Sequence, residues 1–292
     1  MSESVASLRH KIDSAEELES VVRTMKTVAA SSIGQYENAV RSLDDYYRSV
    51  QLGLTACFRQ RQFAGITSSA LPVKTQTIVA IVFGSDQGLV GQFNEVIAAH
   101  VTETMATLSE NQLVWSVGER IESRLTDLEL QPVRHFTLPS SINAITPLIA
   151  EILIQIESQR ELDSNTQFYL FHNQPQTGAI YLPVRQKLLP LDKSWRDELA
   201  VQRWPTHFLP QIMGDGEKTL SALIREYLFV TLFRACAESL ASENASRLAA
   251  MQRAEKNIDE LQEDLHRTFH RLRQSDIDEE LFDVISGYEA LS

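Results

Sequence analysis

Ser242-Glu243-Asn244-Ala245-Ser246-Arg247-Leu248-Ala249-Ala250-Met251 opens a helical run that passes Arg273-Gln274 and ends in Val284-Ile285-Ser286-Gly287-Tyr288-Glu289-Ala290-Leu291. Along it the apolar residues Leu248, Met251, Ile258, Leu261, Leu265, Phe269 and Leu272 fall three, four or seven apart. That is the spacing of a narrow coiled-coil seam, so the helix needs a long partner.

The partner lies at the other end of the chain. Leu8, Ile12, Ala15, Leu18, Val22, Met25, Ala29, Ser32, Tyr36, Val40, Leu43, Tyr47, Val50, Leu54 and Cys57 step by three or four. The mean step of about 3.5 residues keeps a seam facing its partner as the two helices supercoil. No proline precedes Pro72, and only Gly34 and Gly53 interrupt the run. At about 1.5 Å per residue, roughly 50 residues make a rod of about 75 Å, longer than a globular domain needs. If Leu8 lies beside Ile285, antiparallel pairing holds the sum of paired residue numbers near 293, which places Cys57 close to Cys236.

Between the two helices the pattern changes. Gly65, Ser68, Ser69 and Pro72 read as a linker, and Thr77-Ile78-Val79-Ala80-Ile81-Val82-Phe83 as a buried parallel strand. Alternation follows: a helix from Phe93 to about Leu108, a strand at Leu113–Val117, and a short helix from Glu119 to Leu128. Then come a weak strand at Val133–Phe136, a helix from about Ile142 to Ile156, and strands at Gln167–Phe171 and Ala179–Leu188. Such alternation implies a Rossmann-like, mostly parallel sheet covered on both faces, with Tyr181–Leu188 as an antiparallel edge. The fold expected is therefore α/β plus a long antiparallel α-helical coiled coil. A coiled-coil helix occupies residues 1–62, a Rossmann-like α/β domain is inserted at 75–190, a return linker marked by Pro190, Pro205 and Pro210 spans 191–216, and a second coiled-coil helix occupies 217–292.

Composition narrows the function. The 292 residues carry a net charge of −12, of which roughly −7 falls after Gly214, and this argues against nucleic acid or anionic lipid as a partner. There is no apolar run of membrane-spanning length and no signal peptide at Met1-Ser2-Glu3-Ser4, so no direct lipid insertion is expected and the expected location is cytoplasmic. Cys57 and Cys236 are too few and too far apart for a disulfide framework or a CxxC metal site.

The turn after the first strand, Gly84-Ser85-Asp86-Gln87-Gly88-Leu89-Val90-Gly91, invites a nucleotide-binding reading that fails in detail. A phosphate loop needs Lys-Ser or Lys-Thr after its last glycine. A dinucleotide turn needs glycine where Asp86 stands, and the Asp86 carboxylate would repel phosphate. His266 and His270 have the i, i+4 spacing of zinc ligands but lack an HExxH glutamate and a third ligand, and read as a solvated pair. No catalytic constellation stands out, and no cofactor or metal site is expected. On a helical wheel Leu281, Phe282, Val284, Ile285, Tyr288 and Leu291 cover about half the circumference, more than one seam buries. Fold-back onto the protein's own core is the simple alternative.

Met25-Lys26-Thr27-Val28-Ala29-Ala30-Ser31, Gly84 to Asn94 and the two C-terminal stretches, in this order, resemble the gamma subunit of F-type ATP synthases. The resemblance spans nearly the whole chain, loosely at about 95–215. It implies a non-catalytic rotor shaft, linking a membrane ring of c subunits to three catalytic beta subunits in an alpha/beta ring, with an epsilon subunit as a further partner. It implies a peripheral subunit at the cytoplasmic face of the inner (plasma) membrane. The tip bearing Leu281, Val284, Ile285 and Leu291 would turn in an apolar sleeve of the ring. Arg273 and Gln274 match the family's Arg-Gln pair facing that ring, Met25 the methionine opposite, and Glu280 its glutamate, while Asp278 stands where the family has threonine. Ser85, Asp86, Gln87 and Gly88 would form an exposed turn near the stator subunits, with Gln87 in place of the family's arginine and Val90 and Gln92 in place of its common cysteine and glycine. Two readings from other classes are a coiled-coil adaptor or scaffold and a nucleotide-dependent enzyme built on the α/β domain.

Overall fold

Thr77–Phe83 is buried along its whole length, and its alternate side chains feed two different cores. It is β1, the centre of a five-stranded sheet, and a strand buried on both faces needs no polar alternation. The computed structural model describes residues 4–59, 77–108, 111–176, 179–201, 204–208, 210–212 and 214–289. The expected linker of Gly65, Ser68, Ser69 and Pro72 falls outside these, as do Leu291 and the side chain of Tyr288.

The elements are α1 (Val5–Arg59), β1 (Thr77–Phe83), α2 (Phe93–Ala106), β2 (Asn111–Val117), α3 (Glu119–Asp127) and β3 (Pro132–Phe136). They continue with α4 (Ile145–Leu162), β4 (Gln167–Gln176), β5 (Ala179–Leu189), α5 (Lys193–Val201) and α6 (Gly216–Glu289). Ser4 Oγ accepts the Ser7 N–H at the start of α1, and Asp215 Oδ1 accepts those of Glu217 and Lys218 at the start of α6. Both satisfy amide groups that a helix leaves open at its N-terminus.

Contacts divide the chain into two units, Ser31–Ser246, and Met1–Ala30 with Arg247–Ser292. In the first the sheet order is β3-β2-β1-β4-β5. β1 pairs in parallel with β2 and β4, β2 in parallel with β3, and β4 antiparallel with β5, so the expected mixed α/β layout holds. Ile78, Ala80 and Val82 point to α2 and α3, where Ile97, Val101, Met105, Ile121 and Leu125 are buried. Val79, Ile81 and Phe83 point the other way, into a core shared with α4 and with the parts of α1 and α6 in this unit. The period of two along a strand makes this division.

Two features differ from the sequence reading. The stretch expected to be a plain return path contains α5, which buries Leu199, stacks Trp195 4.7 Å from Tyr227 and gives its Ala200 carbonyl to Arg59 Nε at 2.7 Å. Register differs too. Near α5, Tyr46 meets Glu226 and Asp44 meets Arg234, with sums of 272 and 278 rather than 293. Opposite Cys57 these sums put about residues 215–221, so the pairing that set Cys57 beside Cys236 does not hold. Both are buried free cysteines, and burial pushes both thiols up from their ordinary pKa.

The second unit is the helix pair alone. Leu8, Ile12, Ala15 and Ala29 of α1 and Met251 of α6 are buried, and Ile258, Leu265, Phe269 and Leu272 are half-buried. The seam opens where Leu18 and Leu261 are 56% and 50% exposed. Lys26 bonds Glu255 and Gln262 bonds Glu19, both pairs summing to 281. The offset from the expected 293 is twelve residues, about three turns. Twelve is not a whole number of heptads, so a slip of the apolar repeat does not account for the difference, and the register that forms is marked by the polar pairs Lys26–Glu255 and Glu19–Gln262.

Candidate functional site

Three places bear the residues singled out in the sequence. At the first, the turn after β1, the Gly84 N–H donates to the Val117 carbonyl at 3.0 Å, and a Cβ at Gly84 would lie 2.2 Å from that of Ile121. The glycine is there because the end of β1 and the start of α3 touch. Gly118 holds φ 114°, open to glycine, and a side chain there would strike the Ser85 carbonyl.

Ser85 is not on the exposed part of the turn. It is fully buried: its N–H donates to Asn94 Oδ1 at 3.1 Å, and its hydroxyl accepts from Asn94 Nδ2 at 2.8 Å and bonds the Gln87 carbonyl oxygen at 3.0 Å. A backbone turned this tightly inward needs an internal partner for each polar group. Asp86 is half-buried, and its Oδ1 accepts the Glu119 N–H at 3.0 Å, so this carboxylate occupies the N-terminus of α3 where an anion would otherwise sit. Gln87 and Leu89 are exposed, and Gly88 is half-buried.

The ligand crevice of a sheet like this lies outside the carboxyl ends of β1 and β4, where the order reverses. Here it is taken by α6. Ser242 Oγ donates to the Asn173 carbonyl at 3.0 Å, Ser246 Oγ donates to the Val90 carbonyl, and Asn173 Nδ2 reaches the Phe93 carbonyl at 3.0 Å. Beside them Glu238, on α6, takes 2.9 Å contacts from His172 Nε2 and Arg234 Nε, and Arg234 reaches on to Asp44 at 3.4 Å. Burial pushes the Glu238 carboxyl up, but its bonds to His172 and Arg234 outweigh this and hold it below the ordinary carboxylate value. Sequence reading missed this network. Its one visible signal is a helical stretch, Glu238 to Ser246, too polar for a buried helix yet buried on nearly every side.

The shaft residues come next. Met25 is half-buried and Lys26 beside it pairs with Glu255. Arg273 and Gln274 are both exposed, and Arg273 has no ion pair among the described residues. His266 and His270 are exposed, and no cluster of three metal-ligating side chains occurs among the described residues.

The third place is the end of α6. A register sum of 281 carries Val5, the first residue of α1, to about residue 276. Beyond that point α6 continues to Glu289 with no described residue of α1 opposite it. Asp278, Glu280, Leu281, Phe282, Val284 and Ile285 are all exposed, Phe282 and Val284 by 67% and 72%. Fold-back of these side chains onto the protein's own core is therefore not what the chain does.

Residues 4–291 match the protein family described as ATP synthase. The chain is similar to the ATP synthase gamma chain of Bacteroides fragilis, 26% identical over 97% of this chain and 98% of that one. It is similar to the ATP synthase gamma chain of Clostridium botulinum at 29% identity over 72% and 71% of the two chains. In fold it resembles a chain of the Euglena gracilis mitochondrial ATP synthase, with a TM-score of 0.66, 15% identity, and coverage of 98% of this chain and 94% of that one.

Proposed function

This chain belongs to the ATP synthase family, and from that membership we infer that it is the gamma subunit, the central rotor shaft of an F-type ATP synthase. A stalk subunit performs no chemistry of its own. Within the molecule the reading is carried by one observation, the end of α6 running past its pairing register with its apolar side chains in solvent. Exposed apolar surface of that kind marks a contact surface.

Catalysis then belongs to the beta subunits, which bind ATP, and the work of this chain is mechanical. A shaft without three-fold symmetry touches each beta subunit of the ring differently. Turning it shifts the open and closed populations of each site in sequence, because the contacts differ between states. Met25, Arg273, Gln274, Asp278, Glu280, Leu281, Val284, Ile285 and Leu291 face the alpha/beta ring in this reading, and the turn at Asp86, Gln87 and Gly88 faces outward from the α/β domain. The epsilon subunit and the membrane c-ring are the partners at that domain. No helix among the described residues is long and apolar enough to cross a membrane, so attachment to one goes through the c-ring.

Purification of the chain from its own cells tests this. Recovery of alpha and beta subunits with ATPase activity is the expected result, and recovery of unrelated partners alone, or ATPase activity of the isolated chain, would overturn it.

A further inference from the structure

Arg234, Glu238, Ser242 and Ser246 follow one another at intervals of four along α6. At about 100° per residue each such step drifts by only about 40°, so Glu238, Ser242 and Ser246 keep to one face of the helix. All three are buried, and all lie with the α/β domain in the unit Ser31–Ser246. Glu238 meets His172 Nε2 at 2.9 Å and accepts from Gln174 Nε2 at 3.1 Å. Ser242 donates to the Asn173 carbonyl at 3.0 Å, and Ser246 donates to the Val90 carbonyl. Arg234 braces Glu238 at 2.9 Å and reaches Asp44 of α1. Asn173 Nδ2 in turn holds the Phe93 carbonyl at 3.0 Å, so the carboxyl end of β4 is fastened to the start of α2 as well as to α6.

Apolar side chains also pack this part of α6 against the sheet, but apolar attraction is non-directional and lets a helix turn while it stays buried. Hydrogen bonds do not. A side-chain tip lies roughly 5–6 Å from the helix axis, so a turn of about 20° carries it about 2 Å, enough to stretch and misalign a hydrogen bond past its working range. The acceptors of Ser242 and Ser246 are backbone carbonyls, which move only with the α/β domain. A buried ionic network is a weak source of net stability over apolar packing, so what this row adds is direction.

We propose that the row is the torque-bearing joint of the shaft, with Glu238, Ser242 and Ser246 as positioning residues that lock α6 in angle to the α/β domain. It rests on the rotor reading and deepens it, since a shaft driven at one end and loaded at the other passes torque from helix to domain. An apolar core alone gives that joint little resistance to twist.

The test uses the full chain assembled with its own alpha and beta subunits, the ring fixed to a surface and a bead attached to the α/β domain. Ser242→Ala with Ser246→Ala forms one variant and His172→Leu with Glu238→Met a second, each removing polar bonds while keeping the site filled. Val101→Ala, which loses buried volume in the core on the opposite face of the sheet, is the control for lost stability. With the ring stalled, both variants should show a several-fold wider angular variance of the bead than wild type. In vesicles holding the whole complex they should also move fewer ions per ATP against an opposing gradient. The Val101→Ala control should match wild type in both measurements, although it unfolds at lower urea. Bead variance in the serine variant equal to that of the control overturns the joint and leaves the rotor reading standing. Failure of the wild-type chain to assemble with the two subunits overturns the rotor reading, and the joint with it.

Discussion

The Nζ of Lys26 lies 2.6 Å from Oε2 and 2.8 Å from Oε1 of Glu255, a two-point ion pair from one shaft helix to the other. With 31% and 24% of the two side chains exposed, it is sheltered enough to hold its geometry and wet enough to be screened by salt. It fixes the phase of the helix pair, since only one register brings these two residues together.

Lys26→Met and Glu255→Gln, singly and together, measure what the pair contributes. The expected interaction free energy from the double-mutant cycle is about 1 kcal/mol, smaller at high salt. Denaturant unfolding at two salt concentrations reads it. Additive single mutants would leave the apolar seam alone in setting the register.

Ser242 and Ser246 close the crevice at the carboxyl ends of β1 and β4. Ser242→Ala and Ser246→Ala each leave a carbonyl of Asn173 or Val90 without that partner, at an expected cost of about 1 kcal/mol of stability each. Neither should open a nucleotide site, because the Asp86 carboxylate still occupies the N-terminus of α3. ATP or NAD should therefore bind wild type and variants no tighter than about 1 mM by calorimetric titration, and micromolar affinity in any of them would refute the closed crevice.

Glu238 gives the fold an acid-sensitive point. Its carboxyl titrates lower in the folded chain than its ordinary 4.5, so its contribution to stability is fully present above that value and is lost as pH falls through the folded pKa. Glu238→Gln should therefore unfold more readily than wild type near neutral pH, with the gap narrowing below about pH 4.5. Urea midpoints at neutral pH and at pH 3 to 4 check this, and a gap that widens in acid would contradict it.

Much of this was legible in the sequence, and the reasons for what was not are specific. Steps of three and four from Leu8 to Cys57 mark a buried seam because helix geometry leaves no other way to line them up, and the run at Thr77–Phe83 marks a central strand for the same kind of reason. Register was not legible, because apolar steps of three and four do not by themselves say which turn faces which, and the pairs that mark it, Lys26 with Glu255 and Glu19 with Gln262, are polar. α5 has only Trp195 and Leu199 as an i, i+4 pair between Pro190 and Pro205, too short a pattern to read as a helix. The closure of the crevice by Ser242 and Ser246 escaped notice since small polar residues in a helix carry no sign of what they will meet. Exposure of the α6 tip was legible, as its apolar residues exceed what one seam can cover.

Arg273 and Gln274 stand exposed on α6 a few residues before the point where α1 ceases to cover it. A guanidinium there has no ion pair among the described residues, and on the rotor reading proposed above it makes directional, charge-assisted bonds to a carboxylate or carbonyl of one beta subunit at a time. Each such bond contributes about 1.5–3 kcal/mol, enough to bias one rotary position over another. Arg273→Ala with Gln274→Ala should leave the complex assembled and lower coupled ATPase or ion pumping several-fold. On that reading the apolar tip still holds the ring, and only the angle-dependent contact is lost. Asp278 lies in the next turn, so if the beta loop it faces is acidic, Asp278→Thr should tighten coupling. Measurement of ATP turnover against ion transport in reconstituted vesicles, with assembly verified, decides it: unchanged coupled turnover in the double variant would leave Arg273 an ordinary solvated charge.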